Sequence, residues 1–356
     1  HLAARAFFVA VEHPGRGTLR YPGAPCRLSL TPWRISGPAP RPGEHNGELD
    51  DVLDRWRQRS EPSTASAAAQ PGAAATSALA GLRVVEFTAG MAGPWIGRYL
   101  AWCGADVIKV ESRDYPDVTR LYVPPGQSEL GVQPEMSPWF TDWNAGKRFV
   151  ALDLRKPEGA ALASQLVAHC DVVIDNNANG VLEKLGLGFE RLRAIKEELI
   201  LFSSTGFGES GPDASYISWG PNIETLSGLS ALSGFPGREC TMTQFAYPDA
   251  ISALSGLFAI LCALHYRESS GRGQTLRLSQ QEATIAAIGD SLMEALANGV
   301  EPPSRGNQYS AEALEGCYPC IGGQRWCVFT IAGEMQWRAL CELLEMPAEL
   351  CAAALS

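Results

Sequence analysis

Short apolar runs alternate with amphipathic segments between residues 81 and 215. The strands that this pattern predicts are Leu82–Phe87, Asp106–Glu111, Phe149–Leu154, Asp171–Ile174 and Leu199–Ser203. Helical spacing predicts helices between them, over Trp95–Trp102, Pro157–His169 and Phe189–Glu198. Strands that alternate with helices predict an α/β fold, in which helices cover both faces of a parallel sheet.

The pattern changes on either side of this region. From about residue 213 the strands give way to helices, predicted over Ile223–Leu232, Ala250–Arg267 and Gln280–Ala297. Residues 54–80 are instead rich in Ser, Pro, Gly and Ala, and they carry almost no large apolar side chains. Such a segment buries too little surface to offset the entropy of ordering it, so we predict a flexible linker there.

Composition and charge narrow the class of protein. The 356 residues are 46% hydrophobic and 19% charged, which is typical of a globular protein of about two domains. A formal net charge of -10 argues against nucleic acid as a partner, because phosphate contacts need clustered cations. No apolar run of ~18–20 residues predicts a membrane span, and no signal peptide is recognisable. We therefore expect a cytoplasmic protein that binds neither nucleic acid nor membrane.

The ten cysteines are irregularly spaced, as expected for reduced thiols in the cytosol. Cys317 and Cys320, with Cys327 nearby, form the one arrangement with metal-like spacing. A single CxxC without a second pair is a weak signal for zinc, so no metal cofactor is predicted.

An ordered set of motifs beyond residue 80 is the most specific signal in the sequence. In chain order these motifs are Gly81–Phe87, Thr88–Pro94, Gly104–Glu111, Gly146–Arg148, Leu152–Leu154, Pro157–Gly159, Gly180–Leu182, Leu185–Gly188, Thr205–Gly208, Gly211–Pro212, Tyr247–Asp249, Ser255–Gly256 and Ser270–Gln274. Together they resemble the family III CoA-transferases (CaiB/BaiF), the superfamily of formyl-CoA transferase, L-carnitine CoA-transferase and alpha-methylacyl-CoA racemase. The resemblance extends over residues 81–345.

The resemblance implies a Rossmann-like large domain, a smaller second domain and two units interlocked as rings. The N-terminal segments His13–Gly23 and Ala39–Asn46 resemble the C-terminal tail of the same family. We therefore expect a slice of a tandem two-repeat fusion. Its expected parts are the tail of a preceding repeat (1–53), the linker (54–80), the Rossmann-like large domain (81–215), a helical segment with the nucleophile (216–300) and the truncated start of the small domain (301–356). On this view, residues 1–53 should pack on a sheet domain of this fold.

Asp249 matches the aspartate nucleophile of the family. It directly precedes the predicted helix Ala250–Arg267, where free N–H groups and the helix dipole stabilise a carboxylate. An ionised aspartate can attack a thioester carbonyl, giving a mixed anhydride and then an aspartyl-CoA thioester. Spacing alone favours a simple helix cap, whereas the surrounding match favours the nucleophile.

The resemblance also implies a site for coenzyme A, as acyl-CoA substrate. The loop after the first strand is expected to offer backbone N–H groups to the nucleotide or pantetheine, near the switch point of the sheet. Its residues are Ala89, Gly90, Met91 and Ala92. The other positions expected to contact CoA are Leu152, Arg155, Asn176 and Lys184, with Arg113 as a candidate for the 3′-phosphate. For Arg155 and Lys184 the alternative is an ordinary solvated surface charge.

Two departures from the family pattern leave other functions open. Trp219–Asn222 stands where many relatives carry an acidic pair, and the nearest carboxylate, Glu224, is predicted to lie on a helix surface. Only Gly316 and Gly322–Gly323 stand in place of the family's Gly-rich loop. The sequence favours an acyl-CoA:carboxylate CoA-transferase that acts on small molecules, as a homodimer or an intramolecular pair of repeats. The alternative is a catalytically silent scaffold half; a racemase is disfavoured, because Trp219 occupies the position of its histidine.

Overall fold

The computed structural model describes residues 1–58, 77–122, 137–307 and 314–353. The chain divides into two compact units. The sheet unit comprises His1–Ile223 and Ala246–Ala287, and the small unit comprises Glu224–Phe245 and Ile288–Ser356. The division differs from the predicted boundaries at 215 and 300, because the helix that carries Asp249 belongs to the sheet unit. Most of the predicted linker, residues 59–76, lies outside the described residues.

The strands and helices of the described residues have the following bounds. The strands are β1 (Phe8–His13), β2 (Gly17–Pro22), β3 (Arg83–Phe87), β4 (Asp106–Glu111), β5 (Arg148–Ala151), β6 (Val172–Asp175), β7 (Ile200–Thr205), β8 (Thr275–Ser279), β9 (Leu314–Pro319) and β10 (Trp326–Ile331). The helices are α1 (Leu49–Gln58), α2 (Ala92–Trp102), α3 (Pro138–Asn144), α4 (Pro157–His169), α5 (Val181–Lys184), α6 (Phe189–Ile195), α7 (Gly220–Leu226), α8 (Leu229–Leu232), α9 (Tyr247–Ser270), α10 (Gln280–Ala287), α11 (Gly289–Asn298), α12 (Glu334–Leu343) and α13 (Ala348–Ala353).

Six strands form one sheet in the order β5-β4-β3-β6-β7-β8. Every neighbouring pair in it is parallel. The predicted α/β class with a parallel sheet is therefore confirmed. The expectation that strands end near residue 213 was wrong, since β8 joins the sheet beside β7. Four of the five residues of β8 keep some solvent exposure, so it lacks the continuous apolar run that predicts a buried strand.

Successive side chains of the central strands lie on opposite faces of the sheet. In β3, Val85 packs in a cluster with α4 and α1, whereas Val84 packs in a second cluster with α2 and α9. Since side chains alternate along a strand, both faces must be apolar, and a continuous apolar run results. Gly256 allows α9 to pack closely on the sheet, because a Cβ at that position would lie 2.5 Å from the Phe202 ring.

The strand order creates a switch point at the carboxyl ends of the strands. From β3 the chain adds β4 and β5 on one side, and it then adds β6, β7 and β8 on the other. The loops that follow β3 and β6 therefore leave the sheet in opposite directions. In open parallel sheets this switch point, at the carboxyl ends of the strands, is where ligands bind.

The N-terminal segment packs on the sheet unit. Trp56 of α1 is buried in the cluster that covers one face of the sheet, and its Nε1 donates to Asp106 Oδ2 at 2.9 Å. Asn46 exchanges hydrogen bonds with the backbone of Ala151 at the end of β5. Residues 1–53 thus pack on a sheet of this fold, while their origin in a preceding repeat stays a prediction. Helix α1 continues to Gln58, beyond the predicted start of the linker.

Among the described residues, α9 is the one helix long and apolar enough to cross a membrane by length and composition alone. Core helices of globular domains pass the same test. One face of α9 is buried in the sheet unit, through Ala253, Ile260 and Ala263. This packing accounts for the apolar composition of that face.

The small unit corrects one prediction about a carboxylate. Glu224 was expected on a helix surface, but only 1% of it is exposed. Its Oε1 accepts a hydrogen bond from the N–H of Thr243 at 2.7 Å, and Oε2 accepts from the hydroxyl of the same residue at 2.8 Å. Glu224 thus holds the segment that follows α8, and this role explains its burial.

The cysteines with metal-like spacing lie at the antiparallel pair β9–β10 of the same unit. Cys317 stands opposite Val328, and Cys327 stands opposite Tyr318. Within the described part of the chain, no group of three or more His, Cys, Asp or Glu side chains is arranged to hold a metal ion.

Removing Trp56 tests whether the N-terminal segment belongs to the core. Trp56→Ala should lower the free energy of unfolding by about 3–5 kcal/mol, because the lost side chain leaves a cavity under the sheet. Urea unfolding followed by circular dichroism measures this change. The exposed neighbour provides a control, since Arg55→Ala should have little effect. Equal stability of the two variants would contradict the packing of this segment.

Candidate active site

Asp249 lies in the first turn of α9, which begins at Tyr247 with Pro248 next. The helix therefore starts three residues earlier than the sequence predicted. The carboxylate accepts hydrogen bonds from the side chain of Gln280, from the N–H of Ala92 and from its own N–H. Ala92 begins α2 and Gln280 begins α10, so the N-terminal turns of three helices meet at this carboxylate. Free N–H groups and helix dipoles favour negative charge there.

Apolar surroundings oppose that stabilisation. Met91, Trp143 and Ala250 form a buried cluster around the start of α9, and Trp95 packs against them. Burial raises the pKa of Asp249 to about 6, although the hydrogen bonds from Gln280 and Ala92 act to lower it. The carboxylate is therefore ionised at neutral pH while poorly hydrated, which is the state that a carboxylate nucleophile requires.

Gly220 permits a close approach to the same carboxylate. A Cβ at this position would lie 2.5 Å from Asp249 Oδ2 and 2.9 Å from the Cβ of Ala246. No side chain fits there without moving the carboxylate. The departure from the family pattern at Trp219–Asn222 thus places a glycine, rather than an acid, against Asp249.

The loop after β3 is held by polar partners. Asn176, which follows β6, accepts from the N–H of Ala89 at 2.9 Å and donates to its carbonyl oxygen at 2.8 Å. The N–H of Gly90 donates to Asp117 Oδ1 at 3.1 Å, and that of Ala92 donates to Asp249. These three N–H groups were expected to serve CoA, but each already has a partner within the protein. Contact of the loop with CoA stays a prediction.

Two buried lysines lie beneath this loop. Lys109 forms an ion pair of 2.8 Å with Asp117 and donates to the carbonyl oxygen of Thr88 at 2.6 Å. Lys147 donates to Glu86 at 2.7 Å and to the carbonyl oxygen of Pro94 at 2.8 Å. Both lysines therefore bind the backbone that enters or leaves the loop.

Electrostatics explain how these charges stay buried. Burial opposes ionisation of Asp117, but Lys109 and the hydrogen bonds from Thr119 hold the pKa of Asp117 below its usual range. Burial lowers the pKa of Lys147 to about 8, against the attraction of Glu86. Unpaired charges at these positions would cost several kcal/mol each, so each ion pair makes the burial of its two members possible.

Sequence reasoning did not place Lys109 and Asp117 at the site. A signal was nevertheless present, because Lys109 and Glu111 lie among the apolar residues Val107, Ile108 and Val110 of the predicted strand. Charged residues in a buried strand must find partners. Glu111 finds Arg120, which also donates to the carbonyl oxygen of Pro40 in the N-terminal segment.

The other predicted CoA residues follow β4, β5 and β6 in the chain. Leu152 is buried, and its N–H donates to the carbonyl oxygen of Glu111 at 2.9 Å. Arg155 is exposed and already pairs with Asp153 and with Asp114, at 2.9 and 2.8 Å. Arg113 and Lys184 are exposed, the first after β4 and the second at the end of α5. Their contact with CoA stays a prediction.

Asp175 is a second buried carboxylate at the switch point, at the end of β6. Its Oδ1 accepts from the N–H and the side-chain amide of Asn177, at 3.0 and 2.6 Å. Burial raises the pKa of Asp175 to about 7, against the effect of these two donors. The side chain thus changes charge near neutral pH.

The structure is thus that of an α/β protein with a parallel sheet and a partly buried carboxylate at a helix N-terminus beside the switch point. Residues 79–354 match the model of CoA-transferase family III. The chain therefore belongs to this family, as the motifs indicated.

Two curated relatives and two solved structures give the extent of the similarity. The chain is 33% identical to succinate–glutarate CoA-transferase of Agrobacterium fabrum, over 75% of this chain and 66% of that protein. It is 32% identical to succinyl-CoA–D-citramalate CoA-transferase of Chloroflexus aurantiacus, over 75% and 64%. The match thus spans just under two thirds of each relative.

The structure is similar to that of a CAIB/BAIF family protein from Brucella suis, with a TM-score of 0.69 and 34% identity over 76% of this chain and 70% of that one. It is also similar to the hypothetical protein Rv3272 from Mycobacterium tuberculosis, with a TM-score of 0.62 and 25% identity over 76% and 70%. Both similarities support the same fold.

Asp175→Asn should stabilise the protein increasingly as pH rises from about 4 to 8. A raised pKa means that the folded state binds the proton more tightly, so the wild type loses this stability as pH rises through about 7. Each pKa unit corresponds to about 1.4 kcal/mol. Urea titration at several pH values measures the unfolding free energies of variant and wild type. Their difference should grow as pH rises.

Asp153→Asn is the control of opposite sign. Hydrogen bonds from Arg155 lower the pKa of Asp153, so removing this charge should reduce stability above the usual aspartate pKa. A pH-independent difference for Asp175→Asn would contradict the raised pKa.

Proposed function

We propose that the protein transfers CoA from an acyl-CoA to a carboxylic acid, with Asp249 as the nucleophile. The single observation that supports this most is the placement of Asp249: poorly hydrated, held by donors from two further helices, and located beside the switch point. The relatives named above are CoA-transferases of dicarboxylates and related acids. Their names support the reaction class.

The reaction balances without any cofactor. The Asp249 carboxylate attacks the thioester carbonyl, a C–O bond forms, and the C–S bond breaks with release of CoA thiolate. The thiolate then attacks Cγ of Asp249 in the resulting mixed anhydride. An aspartyl-CoA thioester forms and the donor acid leaves as its carboxylate. The acceptor carboxylate reverses both steps and restores Asp249.

The network beneath the loop keeps this geometry fixed. Lys109 and Asp117 bind Thr88 and Gly90, which precede the Ala92 N–H that reaches Asp249. A donor fixed in advance costs no reorganisation when the reaction occurs. We assign to this network the role of keeping the Ala92 N–H directed at the carboxylate.

The CoA phosphates require cations near the carboxyl ends of the strands. Arg155, Arg113 and Lys184 are exposed and are the proposed partners of these phosphates. Arg155 would exchange Asp114 for a phosphate, since both ligands suit the planar guanidinium group. Residues 1–53 are assigned to the tail of a preceding repeat; their packing against the sheet unit supports this assignment.

Trapping the intermediate tests the proposal. After incubation with a panel of acyl-CoAs and treatment with hydroxylamine or borohydride, peptide mass spectrometry should find Asp249 modified. Asp249→Asn should abolish the adduct, because an amide cannot act as the nucleophile. Asp290→Asn provides the matched control, since Asp290 also lies in the first turn of a helix. Wild-type protein without an adduct would favour the catalytically silent scaffold instead.

The pH dependence of adduct formation provides a second test. Because only ionised Asp249 attacks, the rate should rise with pH, reach half its maximum near pH 6 and level off above about 7. Quenched reactions between pH 4.5 and 8.5 measure the profile. A rate that is constant across this range would contradict attack by a carboxylate with a raised pKa.

A further inference from the structure

Gln280 is a polar side chain at the site that the sequence motifs did not assign. It is the first residue of α10, directly after β8, and it is 8% exposed. Its side chain donates to the carboxylate of Asp249. Nothing about its position in the sequence indicates this contact, since Asp249 lies on the preceding helix.

The backbone of Gln280 is fixed on both sides. Its carbonyl oxygen accepts from the hydroxyl of Thr284 at 2.7 Å. The hydroxyl of Ser279 accepts from the N–H of Glu282 at 3.2 Å, and the N–H of Gln281 donates to Gly206 at 3.0 Å. The side-chain amide is thus presented from a rigid helix start, which is the condition for a donor to work without reorganisation.

Two donors from different helices reach the same carboxylate. One is the backbone N–H of Ala92 at the start of α2, and the other is the amide of Gln280. Gly220 lies beside Oδ2, where a Cβ would come within 2.5 Å of that oxygen. Protein therefore encloses the carboxylate on this side as well.

We propose that the Gln280 amide, together with the Ala92 N–H, stabilises the oxyanion that develops on the Asp249 side chain during CoA transfer. This inference rests on the proposed function and adds a residue to it. As the CoA thiolate attacks Cγ of the anhydride, the S–Cγ bond forms and the electron pair of the Cγ=O bond moves onto oxygen. The two donors hold that charge. Collapse restores the double bond and breaks the Cγ–O bond to the departing carboxylate, with no proton transferred.

The ordinary alternative is that Gln280 only fills space at the start of α10. Gln280→Leu separates the two roles, because leucine keeps most of the volume and removes the donor. Gln280→Asn retains the amide but is one methylene too short to reach. Gln281→Leu makes the same chemical change one residue further along and provides the matched control.

The experiment measures kcat and KM with the acyl-CoA identified by trapping, and it measures the rate of Asp249 adduct formation in single turnovers. Removal of one oxyanion donor should lower kcat on the order of 100-fold. KM should change little, because the donor acts in the transition state rather than in substrate binding. Thermal melts check that each variant is folded. If Gln280→Leu does not fold, Gln280→Asn takes its place in the test.

Each outcome decides the proposal. A fall in kcat for both Gln280 variants, with Gln281→Leu close to wild type, supports it. Wild-type kcat in Gln280→Leu overturns it while leaving the Asp249 adduct, and therefore the proposed function, intact. An equal loss in Gln281→Leu also overturns it, because the effect would not be specific to this donor. Absence of the wild-type adduct at Asp249 refutes the proposed function and the role of Gln280 with it.

Discussion

The loop at the site depends on two buried ion pairs, Lys109–Asp117 and Lys147–Glu86. Four charged side chains there are almost completely buried. Glu86 and Lys109 lie in the central strands β3 and β4, Asp117 lies in the segment after β4, and Lys147 directly precedes β5. Each finds an opposite charge, and the lysines also find backbone carbonyl groups at the loop that begins α2. Since one missing partner would leave an uncompensated charge, the arrangement has little freedom to relax. The rigidity of the loop follows from this constraint.

Asp249 is placed differently, without a cation as partner. Helix termini and an amide stabilise its charge, and the apolar side chains around it work against ionisation. A lysine in contact with Asp249 would hold the carboxylate in a strong ion pair and reduce its nucleophilicity. Neutral donors leave the carboxylate ionised at neutral pH without an ion pair. The same molecule thus holds its loop with ion pairs, and it holds the proposed nucleophile with dipoles.

Much of the fold could be predicted from the sequence, and the reasons are local. Strands such as β4 and helices such as α4 have the predicted bounds, because a buried parallel strand and a Pro-initiated helix have strong local signals. Strand β8 was missed because edge position leaves it half exposed. Asp249 was recognised through its motif. Gln280 had no such signal, since its contact arises only when α9 and α10 pack together.

The N-terminal segment contacts residues of the sheet that are synthesised much later than the segment itself. Asn46 bonds to Ala151, and 105 residues separate the two in sequence. A ribosome that adds roughly 5–20 residues per second needs about 5–20 s to supply the second partner after the first. During that interval the apolar face of α1, including Leu53 and Trp56, has no sheet to cover it. For that interval the nascent chain exposes the apolar face of an amphipathic helix, before β5 is made.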